Sequence, residues 1–221
     1  TLISMIYSHL RTVKKMKLAS PTADVKQLKE NNISERVVEI DELIKYLRHG
    51  SPTLRDVARL MYYCGLRPGE VTSLTVNDIN FRAGVIVIRE GKTDSARRRV
   101  PLPNNARHIL GRRCRNAHNG LLFPGGKAGQ GQVPLVKLNN AHNAAIARSG
   151  VVPFRLYDLR HTWATDLHAA GADLETLRVL GGWANLAMLK RYVKPNDAKK
   201  ALESEKLVEY RSNVIPFRNA A

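Results

Sequence analysis

Five side chains in this 221-residue chain have the types needed to break a phosphate ester: Tyr192, Arg67, Arg160, Lys92 and Trp183. A phosphodiester is anionic and resists nucleophiles, and attack at phosphorus adds charge to its non-bridging oxygens. Forked guanidiniums match that charge, and preorganised donors act most strongly on the transition state. Arg67 and Arg160 are the candidate clamp. Each follows a leucine at a helix boundary, where it is expected to turn out of the core. The phenol of Tyr192 is the candidate nucleophile; its ordinary pKa of about 10 falls beside cations, which stabilise the anion. Lys92 in a turn is a candidate general acid for the leaving oxygen. Glu70, one helical turn from Arg67, is placed to hold an arginine or histidine. Trp183 offers one indole N–H and a packing ring. Each residue taken alone has a plainer reading: solvated arginines, a packing tyrosine, an exposed turn lysine, a core tryptophan.

The elements that must position them are legible. Apolar residues at Leu2, Ile3, Ile6, Leu10 and Val13 give a helical stripe over Thr1 to Lys17. Ala19 to Ser34 is polar and reads as a linker. Val38 to His49 is a helix with acids near its start. Ser51-Pro52 starts another that Gly65 ends after Cys64. Gly84 to Arg89 and Arg97 to Leu102 are β-strands joined by a turn at Glu90 to Ser95. Asn104 is expected to cap a helix ending near Arg115. Gly120 to Pro134 is glycine-rich loop with a short strand near Leu121 to Phe123. Helices follow at about 136–149, 158–170 and 173–180, with Asp158 and Asp173 as N-caps and Gly171 as a stop. Shorter helices are expected at 185–193 and 197–210. The fold class is α+β, mostly α-helical, with one small antiparallel β-sheet packed on helices.

Charge narrows the partner. There are 36 Lys and Arg against 19 Asp and Glu, a net charge of +17, which favours a polyanion. Nucleic acid is the first reading and an anionic membrane surface the rival; no run approaches the roughly 18 apolar residues of a spanning helix. Arg97, Arg98 and Arg99, with Arg107, Arg112, Arg113 and Arg115, are expected to supply phosphate-binding charge. Cys64 and Cys114 lack a CxxC spacing and read as free thiols in a reducing cytoplasm. His161 and His168 do not stand in an HExxH-type pattern, so no metal site is expected.

Order and spacing now matter. Gly65-Leu66-Arg67-Pro68-Gly69-Glu70 matches a Gly-Leu-Arg-x-x-Glu pattern. Lys92 precedes Arg97-Arg98-Arg99-Val100-Pro101-Leu102, an Arg-x-Val-Pro-Leu-like strand; Arg160 stands in Leu159-Arg160-His161-Thr162; Trp183, closing Leu180-Gly181-Gly182-Trp183, lies nine residues before Tyr192. Together these resemble the catalytic domain of the tyrosine recombinases, the phage integrase family, from about Val38 to Val193. The usual first histidine of the second motif is Tyr157 here. A phenol can still donate to a phosphate oxygen, but it transfers protons less readily than imidazole near neutral pH.

The resemblance implies a site-specific recombinase that cleaves and rejoins DNA through a 3′-phosphotyrosine, without metal, cofactor or ATP. It makes Arg67, Lys92, Tyr157, Arg160, Trp183 and Tyr192 catalytic, with Glu70 and His161 in support. It implies double-stranded DNA attachment sites, a homotetramer on DNA, a host DNA-bending protein and an excision factor as partners, and a cytoplasmic, nucleoid-associated setting. Residues 1–18 then read as the last helix of a truncated N-terminal core-binding domain, 19–35 as linker, 36–196 as catalytic domain, and 197–221 as a helix and tail exchanged between subunits or folded back as a cap. Two alternatives share the features: a type IB topoisomerase-like relaxing enzyme, and a degenerate DNA-binding relative that does not cut.

Overall fold

The structure, a computed structural model, describes residues 2–23, 36–89, 96–117, 119–125 and 133–192, with the backbone alone at 190–192. Its contacts divide the chain into two units, Thr1–Ser34 and Glu35–Ala221. In the first, helix α1 spans Leu2–Thr12, shorter than its apolar stripe suggested, and buries none of its residues. The expected linker beyond residue 23, the turn at 90–95 and the segment 197–221 lie outside the described residues.

The second unit is mostly helical. Helices α2 (Ile40–His49), α3 (Pro52–Cys64) and the five-residue α4 (Pro68–Thr72) lead into strands β1 (Ile79–Asn80), β2 (Val85–Ile88) and β3 (Arg98–Pro101). Helix α5 (Asn104–Arg115), strands β4 (Pro124–Gly125) and β5 (Val133–Pro134), and helices α6 (Asn139–Ser149), α7 (Asp158–Ala169) and α8 (Leu174–Gly181) follow. A 3-10 helix, Leu186–Tyr192, closes the described chain. Strands β1, β2 and β3 form one antiparallel sheet in that order, with Val85 opposite Pro101 and Ile88 opposite Arg98. Strands β4 and β5 pair separately.

Helix α3 is the centre of the unit. Ser51 caps its start by accepting from the Leu54 N–H at 3.3 Å, and Pro52 takes the first turn, where a missing N–H costs nothing. Leu54, Val57, Ala58, Leu60, Met61 and Cys64 are buried, and α2, α4, α5 and α7 pack around them. Gly65 ends the helix in the left-handed region at φ 63°, and a Cβ there would lie 2.3 Å from the Trp163 ring, so only glycine fits.

The main core runs through α2, α3, the sheet, α5 and α6. A smaller cluster of Trp163, Ala164, Leu177, Trp183 and Leu189 joins α7, α8 and the 3-10 helix. In the main core the Tyr46 hydroxyl lies 2.8 Å from His142 Nδ1, and His142 Nε2 lies 2.8 Å from the Phe154 carbonyl. A carbonyl only accepts, so Nε2 carries the proton and Nδ1 accepts from Tyr46. Two helix starts differ from expectation. Asn104 and Asp158 are the first helical residues rather than the caps, which are Pro103 and Tyr157. No helix among the described residues is long and apolar enough to cross a membrane.

Candidate active site

The chain turns between the end of α3 and the start of α4, and Arg67 sits in that turn in an extended conformation. Glu70 lies three residues on, in the first turn of α4, and reaches back to the unsatisfied N–H of the turn. The Arg67 backbone N–H donates to Glu70 Oε2 at 2.8 Å, and its Nη1 to Glu70 Oε1 at 2.5 Å. The other arm, Nη2, donates to the Gly182 carbonyl at 3.0 Å. About a third of the Arg67 side chain remains exposed (31%).

Arg160 was expected to turn outward and instead turns inward. It lies in the first turn of α7 and is wholly buried. Its Nη1 donates to the Gly65 carbonyl and its Nη2 to the Gly181 carbonyl. Its Nε finds no partner among the described residues. Its guanidinium carbon stands 4.4 Å from the centroid of the Trp183 ring, and its Nη1 is 3.9 Å from Glu70 Oε2. Burial costs a charge dearly unless partners surround it. Burial first, and the nearby Arg67 charge second, pull the Arg160 pKa down to about 10, so it stays protonated near neutral pH. Burial pushes the Glu70 carboxyl up, but the hydrogen bonds and charge of Arg98, with Arg67 and Arg160, outweigh it and hold the group at about 2.

Arg98 corrects a second expectation. It was read with Arg97 and Arg99 as a surface DNA contact. Burial alternates along β3, placing Arg98 and Val100 inside while Arg97 and Arg99 are exposed. Arg98 Nη1 and Nη2 donate to Glu70 Oε1 and Oε2 at 2.9 and 2.8 Å, Nη1 also to the Ala96 carbonyl at 2.9 Å, and Nε to the Leu180 carbonyl at 2.7 Å. Val100 carried the signal: two residues away on a strand, Arg98 shares its inward face. Other expected phosphate contacts are also engaged within the fold. Arg112 and Arg113 donate to the buried Asp56, and Arg107 to the Phe81 carbonyl.

The three arginines thus hold three successive carbonyls at the end of α8: Arg98 on Leu180, Arg160 on Gly181 and Arg67 on Gly182. Trp183 comes next and is buried against Trp163, with ring centroids 6.2 Å apart and planes 19° from parallel. A Cβ on Gly181 would lie 1.8 Å from the Trp183 ring, so this close approach requires glycine. Tyr157 is exposed at the start of α7 and meets the buried His161 edge-to-face at 5.2 Å. Tyr192 is the last residue of the 3-10 helix. Lys92 lies outside the described residues. The structure therefore gathers Arg67, Glu70, Arg160 and Trp183, with Arg98 added. Among the described residues, no group of three His, Cys, Asp or Glu side chains is gathered as a metal site would need.

The phage integrase family profile matches residues 33–199, and the chain belongs to that family. The integrase of Salmonella phage P22 is 29% identical over 204 residues, 87% of this chain and 52% of that protein. Tyrosine recombinase XerD of Xanthomonas campestris pv. campestris is 34% identical over 176 residues, 70% of this chain and 52% of that protein. The chain spans about half the length of the curated relatives it matches. Among solved structures, the Tn1549 transposon integrase in complex with circular intermediate DNA aligns with a TM-score of 0.70 at 19% identity, covering 93% of this chain and 77% of that one. The XerA recombinase aligns with a TM-score of 0.61 at 19% identity, covering 97% and 75%. Both likenesses show the shared fold.

Proposed function

We propose that this chain carries the catalytic centre of a site-specific recombinase acting on double-stranded DNA. One observation carries the reading. A single glutamate gathers Arg67, Arg98 and Arg160 onto the Leu180–Gly182 carbonyls, directly before Trp183 and ten residues before Tyr192. The tyrosine recombinases and integrases that the chain resembles support it.

In this reading Tyr192 attacks a backbone phosphorus. The phenol gives up its proton, and the guanidiniums of Arg67 and Arg160 stabilise its anion. The bond to the 5′ oxygen breaks, Lys92 protonates that oxygen, and a 3′-phosphotyrosine remains. Arg67, Arg160, Tyr157 and Trp183 hold the phosphate, with Glu70 and His161 behind them. The phosphotyrosine keeps the ester energy, so a 5′ hydroxyl from a partner strand reverses the attack without ATP or metal. Exposed Arg97 and Arg99 add phosphate-binding charge. Residues 36–196 form the catalytic domain, residues 1–18 the last helix of a core-binding domain, and 197–221 a segment exchanged within a tetramer on DNA.

The test is exchange between two DNA molecules carrying the junctions of the element that encodes the protein, in EDTA and without ATP. Recombinant products are expected. Relaxation of a supercoiled plasmid without exchange would reassign the chain to a topoisomerase-like activity, and binding without cleavage to a non-catalytic relative.

A further inference from the structure

We infer that Arg98 is a positioning residue of the phosphate clamp, setting Arg67 and Arg160 through Glu70 and the Leu180–Gly182 carbonyls. This rests on the recombinase reading above, in which Arg67 and Arg160 meet the phosphate.

Glu70 is the hub. Its Oε1 accepts from Arg67 Nη1 and Arg98 Nη1; its Oε2 accepts from the Arg67 N–H and Arg98 Nη2. Four donors fill the roughly four acceptor sites of a carboxylate. Arg98 supplies two of them from a side chain only 4% exposed. Without Arg98, Glu70 would be a buried carboxylate with half its acceptor sites empty. Its uncompensated charge would draw harder on Arg67 and Arg160, the groups needed by a phosphate. Three arginines and one glutamate leave a surplus of two positive charges here, and removing Arg98 halves it.

A further contact ties the hub to the end of α8. Arg98 Nε holds the Leu180 carbonyl, the first of the three carbonyls on which the clamp arginines rest. Arg98 also opens β3, six residues after Lys92. One guanidinium therefore links the start of β3, the carboxylate under Arg67 and the chain that leads to Trp183. Lysine cannot do this, because a point charge offers neither the two-pronged grip on Glu70 nor a third donor in the same plane.

Arg98→Lys keeps the charge and loses the fork. Arg98→Met with Glu70→Gln removes both charges, so no buried carboxylate is left unpaired. Four quantities are measured on each variant: melting temperature, DNA affinity, single-turnover formation of the covalent DNA adduct at saturating DNA, and acrylamide quenching of tryptophan emission. The chain has only two tryptophans, Trp163 and Trp183, so emission reports this site alone. Both variants are expected to lose on the order of 100-fold in adduct rate, the scale of an ångström of misplacement. DNA affinity should change by less than about threefold, since uniform binding is retained. Quenching should increase as the Leu180–Trp183 turn loosens.

An Arg98→Lys variant with wild-type rate and wild-type quenching overturns the inference and leaves the recombinase reading intact. So does a double variant with wild-type rate and wild-type quenching, since Arg98 would then not set the clamp. If wild type itself forms no adduct, the recombinase reading fails, and the quenching comparison alone decides whether Arg98 sets this turn.

Discussion

The Arg160 guanidinium lies over the Trp183 ring, its carbon 4.4 Å from the ring centroid, with both residues buried. A desolvated contact of this kind contributes about 2 kcal/mol. In the proposed mechanism it lets the Trp183 ring help place Arg160. Trp183→Phe should keep most of the stability, whereas Trp183→Ala should cost about 3–5 kcal/mol in the cavity it leaves. Chemical denaturation of the two variants checks this; equal losses would show that the ring face is not what Arg160 uses.

Glu70 makes the site sensitive to acid. Its folded pKa of about 2 lies below the ordinary 4.5, despite burial, because Arg98, Arg67 and Arg160 favour its anion. A depressed carboxyl stabilises the fold above its unfolded pKa, and that contribution is lost as pH falls through the folded value. Its size at neutral pH is on the order of 3 kcal/mol. Wild type should therefore exceed Glu70→Gln in stability at pH 7, with the gap closing from about pH 4.5 toward pH 2. Denaturant titrations across that range would show a constant gap if the ion pairs carried no such weight.

The two thiols should react at different rates. Burial pushes Cys64 up to about 12, and raises the less buried Cys114 as well. The thiolate is the reactive form. Iodoacetamide on the native protein should alkylate Cys114 first and leave Cys64 unmodified until unfolding. Mass spectrometry of the digests reads this directly, and early labelling of Cys64 would place α3 wrongly in the core.

In the proposed mechanism Lys92 protonates the leaving oxygen. A sulfur leaving group needs no such help, since a thiol pKa lies near about 8.5. Lys92→Ala should lose on the order of 100-fold or more in cleavage of ordinary DNA. It should regain most of that on DNA with sulfur in place of the 5′ bridging oxygen. Equal loss on both substrates would assign Lys92 to binding.

Much of this arrangement is legible in the residues alone. Ser51, Pro52 and Gly65 bracket α3 as expected because capping and helix termination are local events. The order of Arg67, Arg160 and Trp183 points to their meeting, and the structure brings the two arginines onto the carbonyls before Trp183 and Arg160 over its ring. Burial of Arg160 is not legible, because its acceptors, the Gly65 and Gly181 carbonyls, lie 95 and 21 residues away. Nothing near Leu159 in sequence tells a clamp arginine to face inward. Arg98 was readable in principle from its alternation with Val100, but three adjacent arginines read more readily as a solvated face. The β4–β5 pair leaves no periodicity to find, since each strand has two residues.

The central claim is that Tyr192 becomes covalently joined to DNA. A nicked duplex carrying the attachment site traps that state, because the short piece released by cleavage diffuses away before religation. Wild type and Tyr192→Phe are compared on a denaturing gel, with DNA binding followed in parallel on a native one. A retarded protein–DNA band from wild type alone, with binding intact in both, is the predicted result. The same band from Tyr192→Phe, or its absence from wild type that still binds, would contradict the claim.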